Sequence, residues 1–348
     1  MSAPFAFALP PELAAKEPPE RRGLARDGVR LLVIDRRTHQ VEHTRFSRIG
    51  DFLRAGDLLV FNSSRTLPAA LPGRVAGGPA IEVRLAERLP DDSWLALLVC
   101  GGDSPFGCGL RAGLEVEFDL GLSATVLNRD PRIPRLWRVR FSSSGAEFID
   151  LVHRLGRPVR YEYIGRPWAL DEYQTVFARE PGSAEMPSAG RAFTWRLLFD
   201  LRNRGIETAQ VVLHTGLSSY LDDALDAAHP TSEEEFAVPA EAADAVNRAR
   251  AGGRRVIAVG TTVVRTLESV ANGDGVVRAV RGYTRLRVTA QHRLKAVDGL
   301  LSGLHEPEAS HLDLLTAFLP AEVVRAAYED AVRRGYLWHE FGDLNLIV

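Results

Sequence analysis

The chain has 348 residues, 45% of them hydrophobic and 25% charged, with a formal net charge of −2. These values predict a globular protein with a sizeable core and exclude a disordered or fibrous chain. No apolar run reaches the roughly 20 residues that a transmembrane helix needs, and the N-terminus lacks the features of a secretory signal. We therefore expect a cytoplasmic protein in which Cys100 and Cys108 are ordinary thiols.

The first predicted elements are two buried strands, followed by a segment made of strands alone. Short apolar runs bounded by charged or turn residues predict strands at residues 30–35 and 57–62. From about residue 72 to residue 141, short alternating runs are separated by Gly, Pro, Asp and Asn, and no helical pattern interrupts them. This texture is typical of a compact antiparallel β-barrel or sandwich.

After residue 148 the helical period returns, and strands alternate with helices. Thr194 is placed to cap one of these helices, and Gly205 follows its end. The predicted elements are helix 148–155, helix 195–203, strand 209–214, helix 240–250, strand 255–259, helix 263–271, a long helix from 320 to about 335, and strand 344–347. The alternation predicts an α/β domain with parallel strands, into which the β segment is inserted.

The segment from Arg254 to Ser269 predicts a strand, a Gly-Thr-Thr turn and a helix. Thr262 stands where a helix N-cap is expected, and the free amides at such a helix start attract anionic oxygen. One turn further on, Arg265 and Glu268 lie on the same side of the helix. The plainer interpretation of the same residues is a capped connection with a surface ion pair, since most such turns only connect elements.

Seven segments of the chain carry the motifs of one enzyme family in order. VIAVGTTVVRTLES is similar to the family segment VIAVGTTSVRTLES, and GDLLVFNSSRTLPAAL is similar to GDLLVFNDTRVIPARL. The other five matching segments begin at Leu31, Asp171, Pro187, Leu213 and Phe341. Together they resemble the S-adenosylmethionine:tRNA ribosyltransferase-isomerases, the enzymes of queuosine biosynthesis, and the resemblance extends over almost the whole chain.

The resemblance implies an α/β, barrel-like main domain formed by residues 1–65 and 156–348, with an all-β barrel inserted as residues 66–155. It also implies that S-adenosylmethionine, as co-substrate, donates its ribosyl group to the aminomethyl side chain of a 7-deazaguanine base in tRNA. The ribose is rearranged to an epoxycyclopentanediol, adenine and methionine leave, and no metal is required. Such a site needs a base beside the sulfonium and polar groups for adenine and the ribose hydroxyls.

Most candidate site residues are polar residues at family motif positions that survive in this chain. Candidate catalytic residues are His214, His305 and Glu234. Candidate cofactor-binding residues are Gly260, Thr261, Thr262, Arg265 and Glu268. Candidate substrate-binding residues are Arg65, Tyr163, Arg166, Ser188 and His229. We expect the side chains of His214 and His305 to reach one cleft that also contains Arg265 and Glu268, where imidazole can exchange a proton near neutral pH.

Several of these residues also have plainer interpretations. Arg65 stands where the two predicted domains meet, and there it is equally suited to an interdomain ion pair. Tyr163 and Arg166 are suited to stacking on and clamping a nucleobase, or to packing where the chain returns from the β domain. Glu234 belongs to a run of three acidic residues, which is typical of a solvated surface.

Some family positions carry different residues, and these leave the acceptor open. The histidine of the LHFT motif is Ala192, the second histidine of HxMHxE is Ser232, and the serine of GTTSVR is Val263. The chain is therefore a tRNA enzyme that has drifted, a paralogue that uses S-adenosylmethionine on a small-molecule amine, or a non-catalytic nucleoside-binding protein. The retained polar residues disfavour the third, and the near-neutral charge gives no support for a basic face that grips phosphates.

Overall fold

The computed structural model describes residues 7–101, 109–228, 232–307 and 309–348. Cys108 and His229 lie outside these ranges. Within them, no helix combines the length and the apolar character that crossing a bilayer requires. Cys100 is disulfide-bonded, so the expectation of an ordinary thiol at this position is wrong.

The described residues form strands and helices whose bounds are as follows. The strands are β1 (Arg30–Ile34), β2 (Val41–Arg45), β3 (Leu58–Asn62), β4 (Ser64–Thr66), β5 (Ala70–Val75), β6 (Ala80–Arg88), β7 (Trp94–Cys100), β8 (Glu115–Glu117), β9 (Ser123–Arg129), β10 (Leu136–Phe141), β11 (Glu180–Ser183), β12 (Glu207–Leu213), β13 (Glu234–Val238), β14 (Val256–Val259), β15 (Val280–Thr284), β16 (Gly299–Gly303) and β17 (Leu344–Ile347). The helices are α1 (Gly145–Leu155), α2 (Trp195–Asn203), α3 (Asp223–Ala228), α4 (Ala240–Ala251), α5 (Thr261–Val270), α6 (Ser310–Leu315) and α7 (Ala321–Arg333).

The main sheet is mixed, and its strand order is β15-β13-β12-β3-β14-β16-β17-β1-β2. The central strands β12, β3, β14 and β16 run parallel, as the alternation of strands and helices predicts. The flanking pairs β12–β13, β13–β15, β16–β17 and β1–β2 are antiparallel. The α/β class is therefore confirmed, although this sheet runs as a row from β15 to β2 rather than closing into a barrel.

Both faces of the main sheet are covered, and the alternation of side chains along each strand separates two hydrophobic clusters. In β3, Leu58 and Val60 pack into one cluster, whereas Leu59 and Phe61 pack into the other. Helices α4, α5 and α7 cover the first face, and α2 covers the second. Burial on both faces explains why the central strands read as continuous apolar runs.

Strands β5 to β10 form a closed barrel in the order β10-β7-β6-β5-β8-β9, with antiparallel neighbours. The strand-only texture left a barrel or a sandwich open, and the inserted β-barrel that the family resemblance implied is confirmed. Phe148 and Val152 of α1 belong to the barrel's hydrophobic cluster. Four buried residues of the main domain also join that cluster, namely Val159, Ala184, Leu217 and Tyr220. The barrel therefore packs against the main domain through apolar side chains.

The observed ends of the predicted helices show which sequence signals marked those ends correctly. Thr194 caps α2 as predicted, because its Oγ1 accepts a hydrogen bond from the Leu197 amide at 3.2 Å. In contrast, α1 begins at Gly145 rather than at residue 148, and α5 begins at Thr261 rather than at residue 263. The first turns of these two helices hold small or polar residues, so an apolar period does not mark where they start.

Glu87 of β6 is buried where the barrel meets β13. Its Oε2 accepts a hydrogen bond from the Glu233 amide at 3.3 Å, and its Oε1 has no partner within the described residues. Burial raises the pKa of this carboxyl to about 7. A buried carboxyl of this kind destabilises the folded protein when it ionises, because its surroundings do not stabilise the negative charge.

We expect Glu87→Gln to raise the free energy of unfolding by about 1–3 kcal/mol at pH 8 and to change it little at pH 5. From its ordinary pKa up to about pH 7, the unfolded chain ionises at this position while the folded chain stays protonated, so wild-type stability falls as the pH rises. Glutamine does not ionise and avoids this loss. Urea unfolding of the wild type and the variant at both pH values measures the difference in the free energy of unfolding. An equal difference at pH 5 and pH 8 would contradict the prediction.

Candidate active site

The four parallel strands end at one edge of the main sheet, which is where α/β folds place their ligands. Asn62 ends β3, and its side chain ties the edge together: Nδ2 donates to the Leu213 carbonyl at 2.8 Å, and Oδ1 accepts from the Leu213 amide at 3.1 Å. Next to these ends lie His214 after β12, Gly260 after β14 and Gly303 at the end of β16.

A cleft of about 220 Å³ lies at the end of β16 and is walled partly by the chain returning from the barrel. Its lining residues come from five stretches of the sequence. They are Thr66; Pro158, Val159, Tyr161, Tyr163 and Tyr173; Ala184, Glu185, Met186, Ser188 and Ser218; Gly303, Leu304, His305, Glu306, Ala309 and His311; and His339 and Glu340. Residues distant in sequence therefore meet in one cavity beside the end of β16.

The polar lining of this cleft consists of acidic and aromatic side chains. Three carboxyls, three imidazoles and three phenols face it, and its described lining includes neither lysine nor arginine. Carboxylates attract positive charge, and the faces of aromatic rings attract cations through their quadrupole. The lining is therefore suited to a ligand that carries a positive group, such as a sulfonium or an ammonium.

Glu185 is the carboxyl with the most complete set of contacts in the cleft. Its Oε1 accepts hydrogen bonds from the Tyr161 hydroxyl and from the Ser218 amide, the latter at 2.6 Å. Burial raises the pKa of Glu185 to about 8. The carboxyl is thus largely protonated at neutral pH and poised to lose its proton within the physiological range.

A second carboxyl is organised by an aromatic stack. The Tyr163 hydroxyl donates a hydrogen bond to Glu340 Oε2, and the Tyr163 ring lies on the His339 ring with centroids 3.9 Å apart. Burial raises the pKa of Glu340 and lowers the pKa of His339 to about 4. Both groups are therefore favoured in their neutral forms, and Tyr163 is held as part of the wall.

His305 is the imidazole with an unused nitrogen. Its Nε2 is buried and has no hydrogen-bond partner among the described residues, while its ring stacks on His311 with centroids 4.8 Å apart. Its backbone carbonyl accepts a hydrogen bond from Trp338 Nε1 at 3.0 Å, which anchors the segment. Burial lowers the pKa of His305 well below its usual value. A neutral imidazole with a free nitrogen in a cleft is suited to accept a proton.

Of the candidate residues, His305, Tyr163 and Ser188 line the cleft, and His214 does not. The Nδ1 of His214 is 2.7 Å from Ser64 Oγ, and burial lowers the pKa of His214 to about 4. Ser64 in turn hydrogen-bonds Ser183, the residue that precedes two lining residues of the cleft. The structure therefore does not bring the two histidines into one cavity, although a chain of hydroxyls leads from His214 towards its wall.

Arg265 and Glu268 do not line the cleft either, and they do not pair with each other. The guanidinium of Arg265 donates to both carboxylate oxygens of Glu234, which is only 6% exposed. Glu268 accepts hydrogen bonds from the amides of Lys295 and Ala296 at 3.0 and 2.9 Å. Glu234 is thus not on a solvated acidic surface, and Glu268 holds the chain that precedes β16.

The Gly-Thr-Thr turn is a packed part of the fold. Gly260, with φ of +103°, is the N-cap of α5, so the expectation that Thr262 caps this helix is wrong. Thr261 and Thr262 lie within the first turn and are both 7% exposed. Thr262 Oγ1 accepts from Asn62 Nδ2 at 3.3 Å, which joins the turn to β3. The three turn residues are not part of the cleft lining.

Two of the substrate-binding candidates point elsewhere, and a third lies outside the described residues. Arg65 is exposed on β4. The guanidinium of Arg166 lies 4.2 Å from the centroid of the Trp168 ring and 3.8 Å from the carboxylate of Glu17. Arg166 therefore has partners within the chain, and His229 has no described position.

Two of the family positions with altered residues fall in the hydrophobic interior. Ala192 is 5% exposed in the cluster on one face of the main sheet, and Val263 is fully buried in the cluster on the other face. Small or apolar side chains are well placed at such positions, because an unpaired polar group there would be costly. Neither residue lines the large cleft, so neither change alters the polar lining described above.

Sequence reasoning missed Glu185, Glu340 and Tyr161, which are prominent in the lining. Glu185 stands in the segment SAEMPSAG, where it is the only charged residue among small and apolar ones. A lone acidic residue in such a run is a readable signal, since a buried carboxyl needs a reason to be there. Tyr161 and Glu340 gave no comparable signal, because nothing in the sequence places them beside the other lining residues.

Comparisons with known proteins agree along the full length of the chain. Residues 2–347 match the family described as queuosine biosynthesis protein. The S-adenosylmethionine:tRNA ribosyltransferase-isomerase of Moorella thermoacetica is 41% identical over 99% of this chain and 98% of the relative. The relative of the same name from Thermotoga maritima is 37% identical with the same coverage. The crystal structure of an S-adenosylmethionine tRNA ribosyltransferase from Thermotoga maritima superimposes with a TM-score of 0.56, at 32% identity and over 99% of this chain and 100% of that one.

Proposed function

Because this chain belongs to the family of queuosine biosynthesis proteins, we propose that it is an S-adenosylmethionine:tRNA ribosyltransferase-isomerase whose reaction takes place in the large cleft. It transfers and rearranges the ribosyl group of S-adenosylmethionine onto a 7-aminomethyl-7-deazaguanine base in tRNA, releasing adenine and methionine. The observation that carries this assignment to the cleft is its lining of carboxyls, imidazoles and phenols without lysine or arginine among the described residues. Such a lining suits a sulfonium.

His305 is the proposed base. The sulfonium of S-adenosylmethionine makes the protons on its neighbouring carbons more acidic, so removing one requires only a positioned base. His305 Nε2 is free of other hydrogen bonds within the described residues, and burial keeps the imidazole neutral. Glu185, with its proton held near neutral pH, is a second proton-exchanging group in the same cavity.

The proposed acceptor is tRNA rather than a small molecule. The relatives that match over almost their whole length carry tRNA in their names, and no observation favours the small-molecule alternative. The altered residues Ala192 and Val263, which raised that alternative, are buried in the two clusters of the main sheet. Ser232, the third altered position, does not line the cleft.

The test is to incubate the protein with S-adenosylmethionine, with and without tRNA that carries the aminomethyl-deazaguanine base. We expect adenine and methionine to be released in equal amounts only when that tRNA is present, together with epoxyqueuosine in the tRNA. Liquid chromatography of the small molecules and of the digested tRNA measures both products. Release with the free base but not with tRNA would contradict the tRNA assignment, and no release with either acceptor would contradict the enzyme itself.

A further inference from the structure

The cleft contains a carboxyl whose natural counter-charge is not supplied by the protein. We propose that Glu185 is the residue that selects a positively charged ligand group in this cleft, either the sulfonium of S-adenosylmethionine or the aminomethyl ammonium of the acceptor base. The inference rests on the proposed function, whose two substrates supply these two groups, and it deepens that function by naming the residue that recognises the charge.

The hydrogen bonds of Glu185 leave one oxygen for a ligand. Oε1 accepts hydrogen bonds from the Tyr161 hydroxyl and from the Ser218 amide, and the Ser218 side chain also favours the ionised carboxyl. Oε2 accepts no hydrogen bond of good geometry from the described residues, and it is not sealed from solvent. Since Glu185 lines the cleft and is partly exposed, Oε2 is the oxygen available to the cavity.

The groups that face Glu185 do not neutralise it. Two carboxyls, Glu340 in the cleft and Glu234 in β13, act on Glu185 and oppose its ionisation. Tyr161 and Tyr220 also face it, and phenols at neutral pH carry no positive charge. An ionised Glu185 therefore gains its strongest stabilisation from a cation that enters with the ligand.

The arginine that contacts Glu234 is fully engaged there. Arg265 directs its guanidinium to both oxygens of Glu234, and this pair is largely buried. Arg265 therefore supplies no counter-charge to Glu185, and the described residues form no ion pair with this carboxyl. A cation of the ligand is then the group that supplies one.

Binding of the cation has a defined proton balance. The carboxyl of Glu185 loses one proton to solvent, the carboxylate pairs with the ligand cation, and no covalent bond forms or breaks. The pKa of the free carboxyl, raised by burial to about 8, places this release in an accessible range. Below about pH 8, affinity for the cation should therefore rise with pH by at most about tenfold per unit, and above it affinity should level off.

Two ligand pairs that differ in charge test the proposal by titration calorimetry on the full chain. S-adenosylmethionine is compared with S-adenosylhomocysteine, which lacks the sulfonium charge, and 7-aminomethyl-7-deazaguanine with 7-cyano-7-deazaguanine, which lacks the ammonium. We expect the wild type to prefer the charged member of at least one pair, and Glu185→Gln to reduce that preference by about 10- to 100-fold. The pair that responds identifies which substrate's cation Glu185 binds.

Matched variants separate charge selection from a general loss of structure. Glu241→Gln makes the same chemical change on the exposed face of α4 and should leave both preferences unchanged. Tyr161→Phe removes one donor to Oε1 but keeps the carboxyl, and it should retain the preference. Titrations at pH 7 in two buffers of different ionisation enthalpy should show proton release for the wild type and none for Glu185→Gln.

Failure of charge selection by Glu185 and failure of the proposed enzyme activity give different experimental results. A folded Glu185→Gln protein with unchanged preferences for both pairs overturns the proposal, as does a wild type without charge preference in either pair. If Glu185→Gln does not fold, absence of proton release by the wild type overturns it as well. A Glu185-dependent preference together with no release of adenine from S-adenosylmethionine and tRNA supports the charge selection and contradicts the enzyme assignment.

Discussion

His305→Gln is expected to lower turnover of S-adenosylmethionine with tRNA by about 10²–10⁴-fold, the usual contribution of a positioned acid or base. His305 lines the cleft, and its Nε2 is buried without a hydrogen-bond partner among the described residues, so this nitrogen is committed to no protein group. Glutamine has a similar length and retains polarity but cannot take up a proton in this range. Single-turnover release of adenine measures the chemical step, and calorimetry with S-adenosylmethionine checks that the ligand still binds.

The control for this change is His153→Gln, on the exposed face of α1, which should leave turnover unchanged. His214→Gln distinguishes two arrangements. A loss as large as that of His305→Gln would retain the hypothesis that both histidines serve one site, through the serines that connect His214 to the cleft wall. Near-normal turnover of His305→Gln would move proton removal to another group of the cleft, with Glu185 as the first candidate.

Arg265→Ala is expected to lower the free energy of unfolding by about 3–5 kcal/mol, because it leaves the buried carboxylate of Glu234 without its counter-charge. Both carboxylate oxygens of Glu234 accept hydrogen bonds from Arg265. The side chain of Glu234 is 8% exposed, and that of Arg265 is 17% exposed. Urea unfolding at pH 7 measures the effect. The double change Arg265→Met with Glu234→Leu should recover most of the loss, since apolar side chains of similar volume leave no charge unpaired.

The same variant also tests the prediction that Arg265 binds the cofactor. That prediction requires Arg265→Ala to weaken S-adenosylmethionine binding by about 1–3 kcal/mol, the value of a charge-assisted hydrogen bond. In the structure Arg265 is engaged with Glu234 and does not line the cleft. Weakened binding with unchanged stability would favour cofactor binding, and lowered stability with unchanged affinity of the folded protein would favour a structural ion pair.

Local patterns were sufficient to predict the division into a strand-only part and an α/β part. The switch from strand-only texture to strand–helix alternation marked the barrel and the α/β part, because a two-residue and a 3.6-residue period leave different apolar spacings. Strand β17 matched its predicted bounds, and Thr194 capped α2 as expected. The motifs further predicted the family, since their order along the chain is a property of the sequence itself.

Local patterns did not reveal the antiparallel flanks of the main sheet. The edge strands β2 and β15 are partly exposed, so they lack the continuous apolar runs of the central strands. The direction in which these strands pair depends on which strands lie beside them in the folded chain. The sequence of a single segment does not determine that. The open row of strands, in place of a barrel-like main domain, is a consequence of that pairing.

The sequence by itself determined the fold class, the family and three residues of the cleft, His305, Tyr163 and Ser188. Only the tertiary structure decided that Arg265 meets Glu234 and that Glu185 meets Tyr161. The sequence near a motif does not show whether an arginine or a carboxylate contacts a ligand or a buried partner within the protein. Its role depends on burial and on the charges that the fold brings within a few ångströms, because desolvation and counter-charge decide which ionised form is stable.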